Sequence, residues 1–214
     1  MTRSRTWYLV RHGETEWNAD ARMQGRLDSR LSALGRAQAA RTGEMMARLG
    51  VDHVFASPLG RVRETLALFA PHLPIAPVFD DRLMEWSAGA WAGRRYADLR
   101  IEASAEFAAW EADHYTVRAP GGENFADLEQ RARAFFADAS AVPHERIAIV
   151  AHGFMNRALA ACLLALSPDE TLAIRQDNDT IFRIRTADGT TVADHFAAGE
   201  GPFPGLTGGG QTGV

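Results

Sequence analysis

At 214 residues, 46% hydrophobic and 23% charged, the chain has the size and composition of one soluble globular domain. A net charge of −4 excludes the basic face of a nucleic-acid binder, so any affinity for anions has to come from a local cluster. The single cysteine, Cys162, excludes an internal disulfide framework, and no apolar run is long enough to cross a bilayer.

Residues 1–5 lead straight into the first predicted strand without the apolar stretch of a signal peptide, so a cytoplasmic location is expected. That strand, Trp7-Tyr8-Leu9-Val10, ends abruptly in Arg11-His12-Gly13, a buried strand delivering polar side chains at its carboxyl end. A polar loop over 19–30 carries Arg22, Gln24 and Gly25. Ser32 then caps a helix from 33 to about 49, whose apolar stripe is Leu34, Ala37, Met45 and Leu49. A short strand, Val54-Phe55-Ala56, runs into Ser57-Pro58-Leu59-Gly60-Arg61 and a helix from about 59 to 69, with Arg61 in its first turn.

Pro71, Pro74 and Pro77 punctuate a loop, and 75–79 reads as a short edge strand. The aperiodic stretch 80–93, with Glu85, Trp86 and Trp91, reads as an ordered functional loop, and 94–115 as a helix with Leu99, Phe107 and Trp110 inward. Together, 86–123 read as a lid over a pocket. Asn124 caps a helix with the apolar face Phe125, Leu128, Ala132, Phe135 and Ala139. A second apolar strand over 147–151 ends in His152-Gly153 before a helix over 154–166. Strands over 181–185 and 190–196 form a hairpin across Ala187-Asp188-Gly189. The Gly- and Pro-rich tail over 199–214 has the composition of a disordered segment and lies outside a single domain over 1–198.

Two parallel strands that each end in His-Gly bring two imidazoles to the crevice where open α/β sheets bind ligands. With Arg11 and Arg61 nearby, that crevice suits a dianion, and a phosphoryl group above all. His12 is the candidate nucleophile, provided a carbonyl or carboxylate holds its other nitrogen and selects the tautomer. His152, protonated beside a phosphoryl group, would donate to an oxygen that gains charge in the transition state. Asn18 is either a neutral donor to the same oxygens or a helix cap.

Four ordered blocks carry a family resemblance. They are Arg11-His12-Gly13-Glu14-Thr15-Glu16-Trp17-Asn18, Ser57-Pro58-Leu59-x-Arg61, Glu85 followed by Gly89-x-Trp91-x-Gly93, and Ala151-His152-Gly153. Together they resemble the histidine phosphatase superfamily, in its phosphoglycerate-mutase-like branch. The resemblance implies an α/β fold, a three-layer α/β/α sandwich on a mostly parallel central sheet with helices on both faces. It implies a phosphohistidine on His12 and a general acid/base at Glu85. It also places Gln24 and Gly25 of the Arg22-x-Gln24-Gly25 block at the pocket rim, and Gly153 beside His152, as substrate-binding positions.

The expected activity is metal-independent hydrolysis of a small phosphorylated metabolite, since two arginines and a histidinium already balance a dianion's charge; no cofactor is required. The block around Glu85 departs from the mutase form, and its short spacing to His152 matches the phosphatases. Mutase-type transfer, a phospho-ligand-binding role and a phosphoprotein phosphatase remain the alternatives. The expected partner is a small-molecule phosphate ester, not nucleic acid or membrane, and a homodimer is left open.

Overall fold

The computed structural model describes residues 4–208. In chain order its elements are β1 (Arg5–Arg11), α1 (Glu16–Ala19), α2 (Ala33–Arg48), β2 (His53–Ala56), α3 (Gly60–Phe69) and β3 (Val78–Phe79). They continue with α4 (Tyr96–Glu102), α5 (Ser104–Ala112), α6 (Phe125–Ala139), β4 (Arg146–Ala151), α7 (Gly153–Leu164) and α8 (Pro168–Ala173). Strands β5 (Thr180–Ala187), β6 (Thr190–Ala197) and β7 (Glu200–Pro204) complete one sheet of order β3-β2-β4-β1-β5-β6-β7. Strands β3, β2, β4 and β1 pair in parallel, and β5, β6 and β7 add an antiparallel flank. The α/β fold expected from the sequence is the observed one.

The period-two alternation of the strands divides their side chains between two cores. Trp7, Leu9, Ile147, Ile149 and Ala151 face a core shared with α6 and α7, while Tyr8, Val10, Ala148 and Val150 face one shared with α2 and α3. Leu9, Ile147 and Ile149 are fully buried, each adding roughly 1.5–3 kcal/mol of apolar burial. The central strands therefore form a stiff platform, and their carboxyl ends are held in fixed register.

Local signals placed several boundaries well. The Ser32 side chain accepts from the Gly35 amide at the start of α2, and Asn124 forms a reciprocal capping box with Asp127. Asp188 and Gly189, both at positive φ, make the two-residue turn between β5 and β6.

Four expectations need correction. Leu34 and Ala37 are exposed, because α2 turns Gly35, Gln38, Ala39, Thr42, Gly43 and Met46 inward instead. Small residues win that face: a Cβ at Gly35 would sit 1.9 Å from the Glu14 carbonyl oxygen, and one at Gly43 would sit 2.9 Å from the Phe69 backbone. The helix expected over 94–115 is two helices, broken at Ala103, although Leu99, Phe107 and Trp110 are buried as expected. Only Val78 and Phe79 of the 75–79 stretch join the sheet, since Pro74 and Pro77 have no N–H for a ladder. In the tail, Glu200–Pro204 forms β7 on β6 and the Arg175 amide donates to the Thr207 carbonyl at 2.9 Å, pairing that composition does not reveal. Residues 1–3 and 209–214 lie outside the described residues. No helix among the described residues is long and apolar enough to cross a membrane.

Candidate active site

Strand register brings the two His-Gly ends together. Arg11 pairs with Ala151 across β1 and β4, so His12 and His152 leave adjacent strands side by side, with ring centroids 5.3 Å apart. The His12 amide continues the ladder by donating to the Ala151 carbonyl at 3.1 Å. On the other side of β4 the Ser57 amide donates to the Val150 carbonyl at 3.0 Å, which sets the Ser57 hydroxyl 2.7 Å from His152 Nε2. His152 is fully buried, and its Nδ1 has no partner among the described residues.

The His12 tautomer follows from its contacts. Nδ1 lies 2.8 Å from the Gly13 carbonyl oxygen, which can only accept, so Nδ1 carries the proton. Nε2 then keeps its lone pair, and the Nε–H of Arg61 donates to it at 3.2 Å. The ring is 3% exposed, and its backbone is fixed from both sides: Asn178 Nδ2 donates to the His12 carbonyl at 2.8 Å, and the Gly13 amide donates to Thr65 Oγ1 at 3.1 Å.

Arg61, 2% exposed, is held in place by the loop after α1. Its Nη1 donates to the Leu27 carbonyl at 2.8 Å and pairs with Asp28 at 2.9 Å, while Nη2 donates to the Gly25 carbonyl at 2.8 Å. Asp28 also accepts from the Gly60 and Arg61 amides at 2.7 and 3.2 Å, so one carboxylate caps α3 and orients its arginine. Arg11 donates from Nη1 to the Gln176 carbonyl at 2.6 Å, and its buried Nε has no partner among the described residues. Glu85 accepts from the Trp86 and Met155 amides on Oε1, both at 3.1 Å, and from the Phe154 amide on Oε2 at 3.3 Å. The carboxylate thus sits on the first turn of α7, with Oε2 its less engaged oxygen. Glu123 stays outside the pocket lining; with Arg131 it braces the segment that carries Glu85, through Ser87 and the carbonyls of Met84 and Glu85.

The remaining candidates join the same pocket, a cavity of about 430 Å³ lined by Arg11, His12, Arg61, Glu85, Asn18, Gln24, Gly25 and Gly153 among others. The Thr15 amide donates to Asn18 Oδ1 at 3.1 Å, so that atom is an oxygen; Thr15 is the cap of α1 and Asn18 closes its capping box, leaving Nδ2 as its available donor. The Thr15 hydroxyl gives its only proton to the same oxygen, so Gln24 must present its amide nitrogen to Thr15 at 2.8 Å. Gln24 Oε1 is left as a buried acceptor without a partner among the described residues. Gly25 adopts φ +54° with space for a Cβ filled by Ala88, and Gly153 begins α7 with Arg11 packed 3.4 Å from where its Cβ would be. Arg94, Arg95, Arg100 and Arg118 pair with Glu102, Asp20, Glu111 and Asp127, away from the pocket lining. Among the described residues no group of three or more His, Cys, Asp or Glu side chains is arranged to hold a metal ion.

Burial, then the positive fields of Arg61 and Arg11, hold the His12 and His152 imidazoles well below the usual range. His12 is thereby unprotonated at neutral pH. The protein's own charges also keep His152 neutral, so the imidazolium expected from the sequence requires the added charge of a dianion. Burial likewise pushes His114 down to about 4. Such groups are neutral when folded but bind protons once unfolded below pH 6.5. Their contribution to stability is therefore complete above pH 6.5 and is lost as pH falls toward the folded-state values. Urea unfolding should show stability falling from pH 6.5 to 4.5, with a shallower slope in His152→Gln; an unchanged slope would contradict this assignment.

Sequence reasoning missed the loop after α8. Gln176, 4% exposed, donates to the Leu9 and Thr180 carbonyls at 2.9 and 3.1 Å and accepts from Asn156 at 2.9 Å, while its own carbonyl holds Arg11. Gln176-Asp177-Asn178-Asp179, a polar run just before a strand, was the available signal. Arg157, also in the pocket lining, had none.

Comparison with known proteins places this geometry. The model of the histidine phosphatase superfamily (branch 1) matches residues 7–198. A Salmonella paratyphi B protein carrying the name "Probable phosphoglycerate mutase GpmB" is 35% identical over 178 residues, 83% of each chain. The alpha-ribazole phosphatase of Shigella flexneri superposes with TM-score 0.80 at 27% identity, covering 87% of this chain and 93% of that one. A mycobacterial glucosyl-3-phosphoglycerate phosphatase gives TM-score 0.77 at 30% identity, covering 84% and 92%.

Proposed function

Because the chain belongs to the histidine phosphatase superfamily, we propose that it is a phosphomonoesterase that hydrolyses a small phosphate ester through a phosphohistidine on His12. The observation that carries this reading is the His12 ring itself: Nδ1 is tied to the Gly13 carbonyl, and a lone pair on Nε2 faces the Arg61 guanidinium.

The phosphoryl group of the ester settles among Arg11, Arg61 and His152, displacing the Arg61 contact to His12 Nε2. Nε2 attacks phosphorus, the P–N bond forms as the P–O ester bond breaks, and Glu85 gives its proton to the departing alkoxide. Glu85 then takes a proton from water, whose oxygen attacks the phosphohistidine, breaks the P–N bond and releases inorganic phosphate. The guanidiniums, and a His152 protonated by the dianion's field, stabilise the charge on the transferring group. Asn18 Nδ2 adds a neutral donor.

The likeness to the Salmonella protein favours a second reading, mutase-type transfer between positions of one substrate. Phosphate release from an aryl phosphate in EDTA is the expected result. No release from it, together with interconversion of phosphoglycerates when 3-phosphoglycerate is supplied with a trace of its bisphosphate, would establish the mutase instead.

A further inference from the structure

Beyond the floor formed by His12 and the two arginines, the pocket has a second wall, contributed by Trp86, Trp110, His114, Phe154 and Arg157. Its rings lie nearly parallel: Trp86 and Trp110 are 5.3 Å apart at 11°, and His114 and Phe154 are 5.6 Å apart at 22°. With its pKa held near 4 by burial and Arg157, His114 joins this stack as a neutral ring.

Arg157 is unusual in that wall. It is 9% exposed, lies 4.7 Å from the Phe125 ring centroid and 5.2 Å from that of Phe154, and forms no ion pair among the described residues. Its Nε and Nη2 donate to the Thr171 and Leu172 carbonyls at 2.7–3.2 Å, and Nη1 has no hydrogen-bond partner among the described residues. The field of Glu85 favours its charge, while Arg175 and Arg11 oppose it. A buried guanidinium without a counter-ion is costly unless a partner arrives from outside. Arg94, Arg95, Arg100 and Arg118 are each neutralised by a carboxylate, and so is Arg22 on the pocket rim by Asp20. Arg157 thus stands as a cation with a free donor beside a stack of aromatic rings.

We propose that this wall is the leaving-group subsite, and that it selects phosphate monoesters whose leaving group carries a ring and a second anionic group. The ring packs on Trp110 and Phe154, and the second anion binds the Arg157 guanidinium. The proposal rests on the reading of the His12 floor as the phosphoryl site. Arg157 is a specificity residue here, with no part in bond breaking.

The test is calorimetric titration of the full chain with two non-hydrolysable probes, phenylphosphonate and 3-carboxyphenylphosphonate. The carboxylated probe should bind about tenfold tighter or more, the effect of one charge-assisted hydrogen bond in a dry site. Arg157→Gln should erase that preference, and Arg157→Lys should restore part of it. Trp110→Leu should weaken both probes relative to methylphosphonate. Phenylphosphonate affinity serves as the internal reference for an intact floor, because Arg157 also supports α8. Equal affinity for the two probes in the wild type, or a preference that survives Arg157→Gln, would overturn the proposal. Failure of the hydrolytic reading is separate: it would appear as no phosphate release from phenyl phosphate, with the difference between the phosphonates still measurable.

Discussion

Replacing His12 by alanine should lower phosphate release from an aryl phosphate by roughly 10⁴-fold or more, the loss typical of removing a covalent nucleophile. The residual rate would come from Arg11, Arg61 and His152, which still gather around a bound phosphoryl group. Nothing nearby can substitute for the lost ring. His152 has Nε2 engaged by Ser57 and becomes a proton-bearing donor once the dianion is bound, and Glu85 is held on the first turn of α7. Steady-state kcat for wild type and variant, at matched far-ultraviolet circular dichroism, measures the loss. A decrease of less than about tenfold would mean that another group forms the first bond to phosphorus.

Gly35→Ala should cost about 3 kcal/mol or more, at the upper end of overpacking effects, although it adds a single methyl group at a residue outside the pocket lining. A Cβ there would meet the Glu14 carbonyl oxygen at 1.9 Å and the Glu14 amide nitrogen at 2.7 Å. Both are backbone atoms with no rotamer to change. Gly13 has the same contact from the opposite side, its own Cβ position lying 2.3 Å from the Gly35 oxygen. The start of α2 and the turn after β1 are therefore in direct backbone contact, and that turn carries the carbonyl that orients His12. Separating them would loosen the nucleophile as well as the fold, so activity should fall along with the urea midpoint. A neutral midpoint would show that α2 can shift outward without strain.

How much of this was legible beforehand depends on how local each determinant is. Strand ends, caps and the Asp188-Gly189 turn are decided by residues a few positions apart, and they were readable. So was the pairing of the two His-Gly ends, because parallel strands of equal grammar tend to end at one edge. The partners that complete the site were not. Gln176 and Asn178 hold β1 and His12 from the far end of the chain, and Asp28 reaches Arg61 from another loop. Such bonds exist only once the sheet is assembled. The inward face of α2 was misread for a related reason: hydrophobicity pointed to Leu34, whereas close backbone approach selected Gly35 and Gly43. Arg94, Arg95, Arg100 and Arg118 each found a carboxylate at the surface, whereas Arg157, which lines the pocket, lay in an apolar helix with no distinguishing mark.

The most direct test of the central claim is to stop the reaction with an aryl phosphate in alkali, within the first turnover, and weigh the peptides. Phosphohistidine survives base, so the account predicts a phosphoryl increment on the peptide that carries His12, absent in His12→Ala and decaying as phosphate appears. Phosphate release with no such adduct, or with the increment on the His152 peptide, would contradict it.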